Sequence, residues 1–449
     1  MGIGKDMQLF CGMLGPDRVV SSRRLRSLGI AGAVRRFNER AVPGLGGVWF
    51  GKQLMLALLG VRVAELQAER GRSVAKMECA NAVEALACWL AYRDAGWVPD
   101  ARLRGRNKFP REHDLEEGPL YARFRARGFY VTQPMRMAAG SALVPLGFAT
   151  SPNGRFNSLQ TTAEGRAFLD AALGGYRPSN RSMAEHLSQW VLGEAVTVTA
   201  GTVAGGLSPC LPMPSDALEH LEGRLRAGGA NEMAAAKARR RAALEWVERL
   251  RSVTPGPLTW RDRPPEVQDD RHWEDIEAGA RLWLARDAAL QLLDALEARI
   301  AHAPGERLVI ADAVPAVCEQ VEALSTAAEA FLRMRHEDAE ANDFCRACAA
   351  TNPQDVVRSL AERDGRVVAL VGQVLRPGAA FRRGVEPAAA RGQDVEGPLG
   401  EAADEAGAQV AGEIGWPEGL SSRMRNLYLL NLELHGELHV RFAAPEGAA

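Results

Sequence analysis

At 449 residues the chain is longer than one hydrophobic core usually serves, and its 47% apolar content excludes a disordered polyelectrolyte. The longest uncharged run, residues 195–215, is rich in Gly, Pro, Thr and Ser, too weakly apolar to read as a membrane span. Seven dispersed cysteines (Cys11, Cys79, Cys88, Cys210, Cys318, Cys345 and Cys348) argue against a disulfide framework and for reduced thiols, and the first residues lack a signal-peptide core, so a cytoplasmic location is expected.

The net charge of −1 conceals an asymmetry. Residues 1–181 hold 27 Lys and Arg against 15 Asp and Glu, a net of +12, whereas residues 182–449 carry −13. This suits a polyanion partner for the first half, or docking of the two halves on one another. Abundant Ala, Arg and Gly is the composition of a GC-rich bacterial genome. Within residues 18–40, Arg23, Arg24, Arg26, Arg35 and Arg36 alternate with apolar positions at helical spacing, which predicts a basic amphipathic helix, solvated or lying along phosphates. Gly46, Gly51 and Lys52 then reproduce the G-x-x-x-x-G-K spacing of a phosphate-binding loop. Gln53 stands where that loop needs Ser or Thr for magnesium, and Asn38-Glu39-Arg40 where it needs a buried strand. The expectation is therefore a turn at 43–47 before a buried helix over 53–67. Met77, Ala80, Val83, Ala87 and Leu90 predict another helix over 73–95.

Residues 101–127 gather eight basic side chains against four acidic ones: Arg102, Arg104, Arg106, Lys108 and Arg111 in a loop, then Arg123, Arg125 and Arg127 in a helix. Next, Thr132 as N-cap and Pro134 in the first turn predict a helix from Gln133 that ends before Pro145. Strands over 148–150 and 155–161 are expected to flank the turn Ser151-Pro152-Asn153-Gly154. Thr162 should cap a last helix with Ala167, Phe168, Ala171 and Ala172 on its apolar side.

Helix, short hairpin and then QTTAEGRAFL resemble the winged-helix superfamily, a helix-turn-helix with a β-hairpin wing, over about residues 75–175. The resemblance implies a DNA-binding unit whose recognition helix enters the major groove while the wing touches backbone or minor groove. Carried over by position, Gln133, Arg136 and Gly140 share the groove-facing side and Asn153, Arg155 and Asn157 occupy the wing. Arg106, Lys108, Arg123, Arg125 and Arg127 would neutralise phosphates. The sequence departs from the pattern in that Pro145 shortens the helix and Arg136 is its only charge, so the same unit equally suits docking on a protein.

Residues 200–215 are expected to be a Gly/Pro linker. Beyond it, apolar spacing predicts helices over 217–226, 232–251, 273–300, 317–339 and 356–374, with no strand pattern: an acidic all-α bundle. Cys345-Arg-Ala-Cys348, with His336 upstream, lacks the second pair that zinc would need, which favours buried thiols. His435 and His439 miss the H-E-x-x-H spacing because position 436 is Gly. The end of the chain reads as a helix through Leu434, a stop at Gly436 and a short strand, preceded by a helix over 399–414. It resembles part of a second winged helix, with Arg423 and Arg425 on its exposed face.

The expected fold class is thus mainly α: winged-helix domain or domains with a short hairpin wing, plus an all-α helical bundle. The expected divisions are a basic helical segment (1–70), a winged-helix-like domain (71–199), the linker (200–215), the acidic bundle (216–390) and a C-terminal helical or second winged-helix-like domain (391–449). No nucleophile elbow, metal-ligand set or cofactor motif can be assembled, so a non-catalytic protein without cofactor is expected. Its expected partner is double-stranded DNA, with the acidic half recruiting a protein partner or forming a homodimer. The alternative is a structural subunit resembling the kleisins in layout, within a multi-protein DNA-organising or defence complex.

Overall fold

A computed structural model describes residues 26–111, 118–126, 128–194, 196–252, 258–381 and 414–442. The expected mainly α class holds, with two small antiparallel sheets among the described residues. Helices α1 (Ala31–Ala41), α2 (Gly51–Glu69) and α3 (Lys76–Asp94) come first, followed by the short α4 (Tyr121–Phe124) and α5 (Met135–Ala139). Strands β1 (Ala149–Thr150) and β2 (Gln160–Thr161) form a hairpin that leads into α6 (Ala163–Leu173), α7 (Met183–Val191), α8 (Gly201–Leu207), α9 (Ser215–Ala227) and α10 (Ala234–Ser252). The longest helix, α11 (Asp270–His302), precedes β3 (Leu308–Val309), α12 (Ile310–Ala313), α13 (Cys318–Arg333), α14 (Ala339–Cys348) and α15 (Pro353–Asp364). A second hairpin, β4 (Val368–Val371) and β5 (Val374–Pro377), and α16 (Ser422–Leu434) complete the described chain.

Two hydrophobic cores organise these elements. The first contains α2, α3 and the aromatic residues of 109–130, and is closed by α8, α9, α10 and α16. α2 is apolar nearly all round, so it lies at the centre with both flanks covered. It crosses α3 closely because Gly60 has no side chain: a Cβ there would sit 2.3 Å from the Ala80 Cα. The second core packs α11, α13, α14 and α15 with one face of α1 and the β4–β5 hairpin. α11 serves both, with Ile276 in the first core and Ala278 to Ile300 in the second. Its 33 residues span roughly 50 Å at 1.5 Å per residue.

Several expectations change. Residues 200–215 do not act as a plain linker, because Val203 and Leu207, one turn apart, bury as α8, and Gly206 lies against Tyr176. The cores therefore do not divide at 215: α9 and α10 pack with the basic half. The helix expected over 356–374 stops at Asp364, where Gly365 turns left-handed, and the β-branched run that follows pairs as β4–β5 with β3 on the far edge of β5. Gly436 does end α16, with a φ of 75°, but His439–Phe442 is a 3-10 turn rather than a strand. Arg423 is buried and Arg425 half-buried, so the exposed basic face expected there is missing. The preceding helix expected over 399–414 and the start of the 18–40 element lie outside the described residues, apart from Ile414 and 26–40.

Candidate nucleic-acid interface

A buried carboxylate fixes the core of the candidate interface. Glu84, on α3, is 1% exposed; its Oε1 accepts from the Tyr130 hydroxyl at 2.8 Å and the Met135 N–H at 2.7 Å, and its Oε2 from the Arg136 N–H at 3.0 Å. Burial pushes its pKa up, opposed by those hydrogen bonds and by the Arg136 charge. Glu84 thus takes over the capping task expected of Thr132, since α5 begins after Pro134 with no local side-chain cap.

The helix expected over 133–144 is reduced to the five residues of α5. One cause is visible at Ala138, whose carbonyl accepts from Gly47 N–H at 3.1 Å and from the Ser141 hydroxyl at 3.3 Å instead of continuing a helical ladder. The face expected to enter the groove is also occupied. Arg136 Nε donates to Asn81 Oδ1, and its guanidinium lies 5.3 Å from the Phe156 ring centroid. A Cβ on Gly140 would meet that same ring at 3.0 Å. Gln133 and Arg136 are half-buried, and burial lowers the Arg136 pKa against the attraction of Glu84. Arg136 and Gly140 are therefore not part of an open base-reading face, since Asn81 and Phe156 lie against them, and Gln133 precedes a single helical turn too short to lie along a groove.

The hairpin expected over 148–161 is short. Ala149 pairs with Thr161 and Thr150 with Gln160, while Phe156–Ser158 coils as a 3-10 turn where strand was expected. Asn153 Oδ1 accepts from the Arg155 N–H at 3.0 Å and the Ser158 hydroxyl at 2.5 Å, which holds the Asn-Gly turn. Asn157 Oδ1 accepts from the Met77 N–H at 2.8 Å and so tethers the hairpin to the start of α3. Both asparagines are engaged within the chain, whereas Arg155 is exposed at the tip. Thr162 caps α6 as expected, accepting from the Gly165 N–H at 3.0 Å.

The phosphate-contact candidates lie elsewhere, around an aromatic cluster. α3 ends at Asp94, and Gly96 and Trp97 both take positive φ, 61° and 65°. A bulky residue rarely does so. The turn lays the Trp97 indole parallel to the Tyr92 ring at 5.6 Å between centroids. Arg106 Nε donates to the Trp97 carbonyl at 2.9 Å, and the Arg111 guanidinium lies 3.9 Å from the Trp97 ring centroid. The rings continue through Phe109 to Phe129, and Arg123 lies 6.0 Å from the Phe129 centroid. Arg106, Lys108, Arg111 and Arg123 are all exposed. Arg125 is exposed too and pairs with Glu78 at 3.2 Å. Arg127 lies outside the described residues. Arg102 leaves the surface set, being buried with Asp100, the Cys210 carbonyl and His439 around it.

No family model, curated protein or solved structure matches the chain. The geometry is therefore the ground for a functional reading. The role of Trp97 escapes a sequence reading because a single Trp in a turn carries no period; its place between Arg93 and the arginines of 102–111 is the available signal.

The other sequence motifs resolve structurally. Lys52 is 1% exposed and its Nζ donates to the Gly206 carbonyl at 2.8 Å, while the Gly51 N–H donates to Glu433 Oε2 at 2.5 Å. A carboxylate of the chain itself thus sits at the start of α2, where the loop motif would have placed a phosphate. Cys345 and Cys348 are buried thiols whose pKa burial raises, and His336 Nε2 meets Asp275 Oδ1 at 3.0 Å. Among the described residues no group of three His, Cys, Asp or Glu side chains is arranged to hold a metal ion, and no helix is long and apolar enough to cross a membrane.

Proposed function

We propose that this protein binds double-stranded DNA without catalysis, mainly through its phosphates, using the basic rim of the Trp97 cluster and the wing tip at Arg155. The observation that carries the reading is the convergence of Arg106 and Arg111 on Trp97, one through the backbone carbonyl and one through the indole face. A guanidinium already held on a ring loses little further freedom when it meets a phosphate. Lys108, and Arg123 on the adjoining Phe129, extend the positive charge. The order α3, α4, α5, β1, β2, α6 supports a winged-helix-like unit. In this reading α5 is a structural element, and sequence preference is weak because its polar face is turned to Asn81 and Phe156.

The test is fluorescence anisotropy on the full chain with duplexes of unrelated sequence across a salt series. Affinities that agree within a few-fold between duplexes, and fall steeply with salt, support phosphate binding. Arg106→Ala and Lys108→Ala should each lower the salt slope by about one unit. Binding that is strongly sequence-specific and insensitive to these variants would overturn the reading.

A further inference from the structure

A cleft of about 240 Å³ opens between α2, α6 and the start of α7, and its lining contains none of the residues assigned to DNA. Leu59 and Leu66 of α2 and Leu169 and Leu173 of α6 line its apolar walls. Three arginines from three separate segments reach its rim: Arg62, Arg166 and Arg177. Two are pre-set, since Arg62 pairs with Glu69 at 2.7 Å and Arg166 donates to the Thr161 carbonyl at 3.0 Å. Arg177 is exposed and opens the turn in which Ser179 and Asn180 both hold positive φ, 51° and 60°. Two successive non-glycine residues in that region cost energy that only surrounding structure can maintain, and such strain gathers at ligand clamps. Glu185 is engaged with Ser182 in the cap of α7, and Glu65 and Glu69 pair with Arg62, which leaves Asp170 beside Arg166 and Arg177.

We infer that this cleft binds a small amphipathic anion, its hydrocarbon body between the leucines of α2 and α6 and its carboxylate or sulfonate head toward Arg166 and Arg177. A purely polar anion would leave the leucine walls wet, and a neutral apolar ligand would bury or crowd the arginine heads without pairing them. The ligand class thus follows from the combination of wall and rim. This inference does not depend on DNA binding.

The test uses the full chain and 1-anilinonaphthalene-8-sulfonate as a fluorescent probe, displaced by decanoate, with neutral decanamide as the control. The expected result is saturable displacement by decanoate, much weaker displacement by decanamide, and a loss of decanoate affinity of roughly tenfold in Arg177→Ala, an exposed position that leaves both cores intact. Arg166→Ala should behave alike, and the Arg106→Ala/Lys108→Ala double variant should bind decanoate as the native chain does. Equal displacement by decanoate and decanamide, no displacement, or unchanged affinity in both cleft variants would each overturn the assignment.

Discussion

Arg111 lies over the indole of Trp97, its guanidinium carbon 3.9 Å from the ring centroid, and the backbone of Trp97 is held at a φ of 65°. A positive φ at tryptophan is a standing cost, and here the turn also delivers the carbonyl that Arg106 binds. Trp97→Ala should therefore weaken DNA binding about threefold although the residue carries no charge, because Arg111 loses its platform. The salt slope should stay nearly unchanged, unlike that of Arg106→Ala. Anisotropy titrations at two salt concentrations separate the two effects, and a Trp97→Ala protein with native affinity would refute the platform role.

Glu84 satisfies three donors at once inside the first core. Glu84→Ala strands the Tyr130 hydroxyl and the N–H groups of Met135 and Arg136, so a loss of about 3–5 kcal/mol is expected. Urea unfolding of the variant measures it. A loss below about 1 kcal/mol would mean that water enters and replaces the carboxylate.

Glu433 and Lys52 set an unusual pH profile. Burial raises the Glu433 carboxyl from 4.5 to about 7, against the Gly51 N–H and the attraction of Lys52 and Arg102. Burial lowers Lys52 from 10.5 to about 8, against the attraction of Glu433. As pH rises from about 4.5 to about 7 the unfolded chain releases the carboxyl proton first, so stability falls; below 4.5 that contribution is fully present. Between about 8 and 10.5 the unfolded lysine keeps the proton that the folded one has lost, so stability rises with pH. These two groups together place a minimum near pH 7–8, each limb worth about 3 kcal/mol. Urea midpoints across pH 5–10 trace it. Glu433→Gln keeps an acceptor for Gly51 and should abolish the acidic limb; a native profile in that variant would contradict the assignment.

Gly60→Ala tests the close crossing of α2 and α3. Because the added methyl would meet Ala80 backbone atoms rather than a side-chain end, a loss of about 2–3 kcal/mol is expected. Gly71→Ala, at a φ of 72° with open space around it, should cost only about 1–2 kcal/mol through the backbone. Thermal melts of the two variants in parallel show whether crowding at the helix crossing or backbone conformation at the turn costs more. A Gly60→Ala protein that melts with the native chain would mean that α2 and α3 can move apart freely.

The helices with strong periodicity are legible from the residues: 53–67 and 73–95 appear as α2 and α3, and 273–300 lies within α11. Thr162 is legible as a cap because capping is local. The strands β4 and β5 are not, since a run such as Val367-Val368-Ala369-Leu370-Val371 reads as helix or strand until a partner strand is known. Nor is the fate of Arg136, whose neighbours Asn81 and Phe156 lie 55 and 20 positions away in the chain. Local patterns nominate a basic side chain, but only tertiary packing decides whether it meets solvent.

α11 belongs to two cores at once, and α9, α10 and α16 close the one that holds the basic segment. Cutting the chain near residue 181 would strip that core of its lid and uncover leucines that now face one another. The two charge-biased halves are therefore not interchangeable modules joined by a tether. The two cores share α11 and α1, so heat or denaturant applied to one is transmitted to the other, and the protein should melt in one step rather than two.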